Sequence, residues 1–157
     1  MNFRSLCVIA AMLFLAACQS SPQSGANAGG TAAASSAAAP GSREDFVQNV
    51  GDRVFFDFDK SNIKPEGEQT LERQAAWLKK YANVKVTVEG HCDDRGTREY
   101  NLALGARRAN AVKRALVALG IDANRITTIS YGKERPAVIG DNEAAWAQNR
   151  RGVTVVQ

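Results

Sequence analysis

The chain has 157 residues, a length that fits one folded domain with an appendage. It carries 20 Lys and Arg against 16 Asp and Glu, which gives a formal net charge of +4, and the basic residues are dispersed along the chain. A nucleic-acid-binding protein needs a denser stripe of positive charge, so we exclude nucleic acid as a partner.

The N-terminus has the organisation of a secretory signal peptide. Arg4 supplies a positive charge, and residues 6–15 are almost wholly apolar. This run is too short to cross a bilayer, which needs about 20 residues. The small residues Ala16 and Ala17 follow, as expected before a cleavage site. We therefore predict that residues 1–17 are a signal peptide that is removed.

Residues 15–18, Leu-Ala-Ala-Cys, resemble the lipobox of bacterial lipoproteins. The resemblance implies that the Cys18 thiol receives a diacylglycerol and that its new amine is acylated. Gln19 stands where an Asp commonly retains such proteins in the inner membrane, which implies the outer membrane. More than one acyl chain gives a stable anchor. The alternative is an ordinary signal cut before an unmodified Cys, which is disfavoured because all four positions fit.

A low-complexity segment separates this Cys from the rest of the chain. Residues 19–42 contain no charge and no large apolar side chain, so they cannot bury a core. We predict that residues 18–42 comprise the lipidated Cys18 and a flexible tether, and that residues 43–157 form the folded domain. With Cys7 removed and Cys18 modified, Cys92 has no partner, so a disulfide framework is excluded within one mature chain.

Strands and helices alternate along the folded part. Segments rich in β-branched or aromatic residues predict four strands, at residues 53–58, 84–90, 126–131 and 152–156. Helical spacing predicts helices over residues 65–81 and 99–119, with a shorter one over residues 143–148. The order βαβαβ(α)β predicts an α/β sandwich, in which helices cover a four-stranded mixed sheet.

The second helix places an arginine beside its apolar stripe. The core stripe is predicted to contain Leu102, Ala106, Ala109, Val112, Leu116 and Leu119. Arg107 and Arg114 point away from that stripe, whereas Arg108 falls on its flank, on the same ridge as Leu104. An Arg at the border of the core beside a Leu is a candidate pocket wall.

Three segments place polar residues at the ends of these elements. They are residues 56–61 at the end of the first strand, residues 89–96 after the second, and residues 149–151 before the last. Binding groups collect on loops that a rigid scaffold holds in place. These segments are therefore the candidate binding region.

The same segments resemble the OmpA-like domain, in its lipoprotein form. The resemblance rests on residues 88–97 (VEGHCDDRGT), 99–105 (EYNLALG) and 107–112 (RRANAV), supported by residues 56–60 and 130–136. It covers nearly all of residues 50–157 in order. The lipobox ahead of it separates this chain from OmpA itself, which carries a β-barrel.

The resemblance implies that the ligand is the stem peptide of non-crosslinked peptidoglycan, recognised at diaminopimelate. That side chain ends in an ammonium and a carboxylate on one carbon. By motif position, Asp93 binds the ammonium, and Arg108 binds the carboxylate with its planar fork of N–H donors. The remaining predicted peptidoglycan-binding residues are Phe58, Asp59, His91, Asn101, Leu104, Asn149 and Arg150.

The resemblance also implies a cellular role. It predicts an outer-membrane lipoprotein with its domain in the periplasm, which tethers the membrane to the cell wall and contributes to envelope integrity and cell division. It implies contact with TolB, the periplasmic partner of the Tol system, through an overlapping surface. No enzymatic activity and no cofactor are expected. One alternative is that the chain acts mainly as a protein-interaction hub for TolB.

The sequence also permits three other roles for these polar residues. His91, Cys92, Asp93 and Asp94 could be metal ligands, but adjacent strand residues point to opposite faces, so we expect no metal. Acidic residues of the first and second segments could act as paired carboxylates in a peptidoglycan hydrolase. Asp93 and Arg108 could also form a purely structural salt bridge.

Overall fold

The computed structural model describes residues 38–157. The predicted signal peptide, the lipidated Cys18 and most of the predicted tether therefore lie outside the described residues. Among the helices of the described part, none combines the length and the apolar character that a membrane span needs.

The described chain begins with a turn that leads into a short helical segment. Helix α1 spans Arg43–Asp45 and continues as a π-helical turn over Phe46–Val50. Ser42 caps this segment through its hydroxyl, which accepts from the backbone N–H of Asp45. The Gly41 N–H donates to the Asp45 carboxylate, so the last predicted tether residues contact the folded domain.

A four-stranded mixed sheet forms one layer of the domain, as predicted. Strands β1 (Arg53–Phe55), β2 (Val86–His91), β3 (Ile126–Gly132) and β4 (Arg151–Val156) are arranged in the order β1-β4-β2-β3. Strand β4 pairs antiparallel with β1 and β2, whereas β2 and β3 are parallel. The crossover from β2 to β3 passes through a helix, as parallel neighbours require.

Three helices complete the fold: α2 (Pro65–Lys80), α3 (Arg98–Ala118) and α4 (Glu143–Asn149). Pro65 occupies the first turn of α2, where its missing N–H costs nothing, and Thr97 caps α3 by accepting from Tyr100 N–H. The core contains apolar side chains from α2, α3 and the sheet, among them Val54, Leu71, Leu78, Val86, Val88, Val112, Leu116 and Ile126.

Two predictions about these elements are wrong. The first strand ends at Phe55 rather than at residue 58, because the chain turns between Asp57 and Lys60 and Asp59 adopts a left-handed φ of 57°. Leu102 was placed in the core stripe but is 50% exposed. Helix α3 instead buries the ridge that contains Asn101, Leu104 and Arg108, so Leu102 points outward.

Candidate functional site

A cavity of about 180 Å³ lies where the β1–α2 loop, the β2–α3 loop and the first half of α3 meet. Six of the nine predicted peptidoglycan-binding residues line it: Phe58, Asp59, Asp93, Asn101, Leu104 and Arg108. Arg95, Gly96 and Tyr100 line it as well. The structure therefore brings two of the three polar segments to one place, and it adds residues that the prediction did not include.

Arg108 forms the floor of this cavity. Its side chain is completely buried and donates to three backbone carbonyl oxygens, those of Asp57 (3.0 Å), Lys60 (2.9 Å) and His91 (2.9 Å). A guanidinium has five N–H donors, so two are not used by these carbonyl oxygens, and the Cys92 side chain lies near them. Within residues 38–157, no carboxylate oxygen lies within 4.0 Å of its nitrogens. Burial lowers the pKa of Arg108, and the charge of Asp93 opposes that shift.

Close packing of α3 on the sheet puts Arg108 in this position. A Cβ built on Gly90 of β2 would overlap the carbonyl oxygen of Gly105 on α3, and one on Gly105 would overlap the Ser130 hydroxyl. The absence of both side chains lets the helix backbone approach the strands directly. Asn101, Leu104 and Arg108 then share one helix face, because they are spaced by three and four residues.

Asp93 lies beside this floor, at the end of β2. It is 4% exposed, and its Oδ2 lies 2.5 Å from Arg95 Nη2 and 3.4 Å from Arg150 Nη1. No ion pair within 4.0 Å joins Asp93 to Arg108 among the described residues. The alternative that these two form a structural salt bridge is therefore wrong. Asp93 is instead neutralised by Arg95 and Arg150.

Arg95 forms part of the rim, and the sequence-based prediction missed it. Its guanidinium is sandwiched between the rings of Phe58 and Trp146, at 4.0 Å and 4.1 Å from the ring centroids. Stacking between two aromatic faces adds cation–π attraction to the ion pair with Asp93. Arg95 belongs to the polar segment that follows β2, but the order of residues in a loop does not say which charged side chain turns inward.

Asp59 and Tyr100 form another part of the rim. The Tyr100 hydroxyl donates to the Asp59 carboxylate, and this bond raises the pKa of Tyr100 above its ordinary value of 10.0. Asp59 has a φ of 57°, a backbone conformation that costs energy for a residue other than glycine. Strain of this kind concentrates at binding sites. Tyr100 was not predicted, although an exposed aromatic at a helix N-terminus is a signal that could have identified it.

Three predicted residues lie behind the cavity instead of lining it. His91 is buried against Tyr131 and contributes its carbonyl oxygen to Arg108. Asn149 holds the loop before α4, because its amide bonds the backbone of Ala137 and Val138. Arg150 reaches Asp93 from the side away from the cavity and also pairs with Glu143 at 2.5 Å.

Cys92 packs beneath the site. Its thiol is buried and donates to the Asn101 carbonyl oxygen at 3.3 Å. Burial raises the pKa of the thiol, which keeps it protonated. Across residues 38–157 no group of three or more His, Cys, Asp and Glu side chains is arranged to hold a metal ion.

The chain is similar to known proteins. The model of the OmpA family matches residues 55–150. The peptidoglycan-associated lipoprotein of Rhizobium meliloti is 54% identical over 92% of this chain and 82% of its own length. That of Agrobacterium fabrum is 58% identical over 76% of this chain and 67% of its own length.

A solved structure is also similar. The crystal structure of the peptidoglycan-associated lipoprotein from Burkholderia pseudomallei matches with a TM-score of 0.69 at 39% sequence identity, over 74% of this chain and all of that chain. The matched family model covers the cavity floor, Asp93 and the rim residues described above. The chain belongs to the OmpA family, and within it to the peptidoglycan-associated lipoproteins.

Proposed function

We propose that this chain is an outer-membrane lipoprotein whose domain binds the diaminopimelate-containing stem peptide of peptidoglycan without covalent attachment. In this proposal Cys18 carries the lipid, the tether spans the gap to the domain, and the cavity at Arg108 binds the wall. The name of its relatives, peptidoglycan-associated lipoprotein, supports the association with peptidoglycan.

The observation that carries the proposal is the buried, uncompensated guanidinium of Arg108. A buried charge normally has an opposite charge beside it, because removal from water is otherwise costly. Backbone carbonyls hold Arg108 in place, but they leave its positive charge unneutralised and two N–H donors available. A ligand carboxylate would supply the missing charge through short, charge-assisted hydrogen bonds.

Asp93 supplies the complementary group. Diaminopimelate presents an ammonium next to its carboxylate, and Asp93 lines the same cavity as Arg108. We therefore assign the carboxylate of the ligand to Arg108 and its ammonium to Asp93. Phe58, Leu104 and Tyr100 offer apolar surface for the methylene chain.

The same geometry favours binding over catalysis. Hydrolysis of a sugar bond needs one carboxyl group that acts as an acid and a second that acts as a base or nucleophile. In the cavity, Asp93 is paired with two arginines and Asp59 accepts from Tyr100. Neither carboxylate is placed to exchange a proton with a substrate. We propose a non-enzymatic tether, and incubation of the protein with sacculi should release no muropeptides.

Co-sedimentation with purified sacculi tests the assignment. Asp93→Asn and Arg108→Lys should each reduce binding at least tenfold, because a few kcal/mol are lost when one member of a shielded ion pair is removed. Two neighbours provide matched controls: Asp94→Asn and Arg107→Lys change exposed side chains next to the critical ones. Thermal unfolding of each variant shows whether the domain is intact. Undiminished co-sedimentation of a folded Asp93→Asn variant would contradict the assignment.

The proposal includes membership of the Tol-Pal system, with TolB as a protein partner that uses an overlapping surface. The peptidoglycan ligand and TolB should then compete. A titration of the lipoprotein domain with TolB, with and without a soluble muropeptide, measures this directly. Equal affinity for TolB under both conditions would show that the surfaces are separate.

A further inference from the structure

We propose that Arg95 is an internal counter-ion. It pairs with Asp93 in the free protein, and the ammonium of the ligand displaces it. This inference rests on the proposed function, since it concerns how the same cavity is filled. It adds a residue that limits affinity from inside the site.

The two arginines that pair with Asp93 are held very differently. Arg150 has a side chain that is 7% exposed, and it also bonds the Phe56 carbonyl oxygen (3.1 Å) and the Glu143 carboxylate. Arg95 has a side chain that is 32% exposed, and among the described residues its side chain makes one hydrogen bond, to Asp93. Its Nε is buried without a partner. Arg95 is therefore the member of the pair that can leave.

The route by which a ligand reaches the cavity floor also identifies Arg95 as the side chain that moves. Arg108 is completely buried and Asp93 is 4% exposed, so a ligand reaches their charged groups only after a side chain moves. Arg95 lines the cavity beside Asp93 and already places a cation on the carboxylate that we assign to the ligand ammonium. The Arg95 guanidinium and the ligand ammonium thus compete for the same place beside the Asp93 carboxylate.

Displacement of Arg95 would leave different complexes with different ligands. A zwitterionic head replaces the Arg95 cation with its own ammonium, so Asp93 keeps two positive partners throughout. A ligand with a carboxylate but no ammonium would leave Asp93 with Arg150 alone if it displaced Arg95. Exchange of the Arg95 cation for the ligand ammonium leaves the charge around Asp93 nearly unchanged, whereas loss of a cation leaves this buried carboxylate less well neutralised.

Calorimetric titration with a soluble diaminopimelate-containing muropeptide tests the idea. Arg95→Met removes the competing cation and keeps an unbranched apolar side chain between Phe58 and Trp146. We expect the variant to bind roughly three- to tenfold more tightly, because the binding-competent form no longer requires displacement. Arg98→Met is the matched control, since Arg98 has a 73% exposed side chain that pairs with Glu134, and it should bind as the wild type does.

A second ligand tests the discrimination. The wild type should prefer the muropeptide strongly over an analogue that lacks the terminal amino group, and Arg95→Met should bind both ligands more tightly, because neither then has to displace a cation from Asp93. Weaker or unchanged binding of the muropeptide by a folded Arg95→Met variant would overturn the inference and leave the proposed function standing. Absence of muropeptide binding by the wild-type protein would instead overturn the proposed function.

Fluorescence provides a readout that does not depend on affinity. Because the Arg95 guanidinium stacks on the Trp146 ring, its release should change the emission of that tryptophan when the muropeptide binds. The change should be absent in Arg95→Met and in Trp146→Phe. A change of the same size in Arg95→Met would show that the emission change does not arise from release of Arg95, and it would overturn the inference.

Discussion

The floor and the rim of the cavity each contain an arginine, and the two are held by different forces. Arg108 on the floor is fixed by three backbone carbonyl oxygens and is completely buried. Arg95 on the rim is held by one carboxylate and two aromatic faces, and its side chain is one-third exposed. Backbone acceptors move only with the fold, whereas a rim side chain can change rotamer. In the proposed function, the floor is a pre-organised receptor for the ligand carboxylate, and the rim is an adjustable cover.

The largest expected effect on stability comes from a change that forces helix α3 away from strand β2, beneath the floor of the cavity. Gly90→Ala introduces a Cβ that overlaps the Gly105 carbonyl oxygen, so α3 must shift away from β2. We expect the free energy of unfolding to fall by more than about 3 kcal/mol, since the clash is with backbone rather than with a flexible side chain. Urea unfolding measures this loss. Ala103→Ser, on the exposed side of the same helix, is the control and should change stability little.

The second effect compares the two arginines directly. Arg108→Met leaves three carbonyl oxygens without their donor, that of His91 in a buried contact and those of Asp57 and Lys60 in part-buried ones. We expect a loss of about 3 kcal/mol in the free energy of unfolding. Arg95→Met breaks one partly exposed ion pair, and the expected loss is below about 1 kcal/mol. Urea unfolding of both variants tests the contrast between floor and rim. Equal losses would mean that the rim is as much a part of the scaffold as the floor.

A smaller effect concerns His91, which supports the floor through its carbonyl oxygen. Burial, followed by the charge of Arg151, lowers the pKa of His91 from 6.5 to about 4. Between these values the unfolded chain binds a proton that the folded chain does not. The contribution of His91 to the free energy of unfolding is therefore fully present above pH 6.5 and is lost as the pH falls toward 4. From pH 7 to pH 5 this single group should remove about 2 kcal/mol.

His91→Phe isolates that contribution. Within residues 38–157 neither ring nitrogen of His91 makes a well-formed hydrogen bond, although Nε2 lies 3.4 Å from the Glu89 carboxylate, so Phe keeps a planar ring there at the cost of that contact. The difference between the unfolding free energies at pH 7 and pH 5 should be about 2 kcal/mol smaller in the variant than in the wild type. Identical pH dependence of the two proteins would show that His91 titrates normally in the folded domain.

Local patterns were sufficient to predict the sheet, the helices and the neighbourhood of the site. Alternation over residues 84–90 and helical spacing over residues 99–119 involve neighbours in sequence, and β2 and α3 lie within two residues of the expected bounds. The polar segments at residues 56–61 and 89–96 meet at the cavity because β1 ends just before the first and β2 ends within the second. These features depend on the chain direction and on the spacing of apolar residues, and both can be read from the sequence.

The partners of each charged side chain were decided by the tertiary structure. Arg108 bonds carbonyl oxygens 48 and 51 residues away, and Asp93 pairs with Arg150, 57 residues away. His91, Asn149 and Arg150 were predicted to bind the ligand, yet they lie behind the cavity, while Arg95 and Tyr100 line it. Distances between remote residues depend on how closely α3 packs on the sheet. A difference of a few ångströms there determines whether an arginine faces a ligand or a backbone carbonyl.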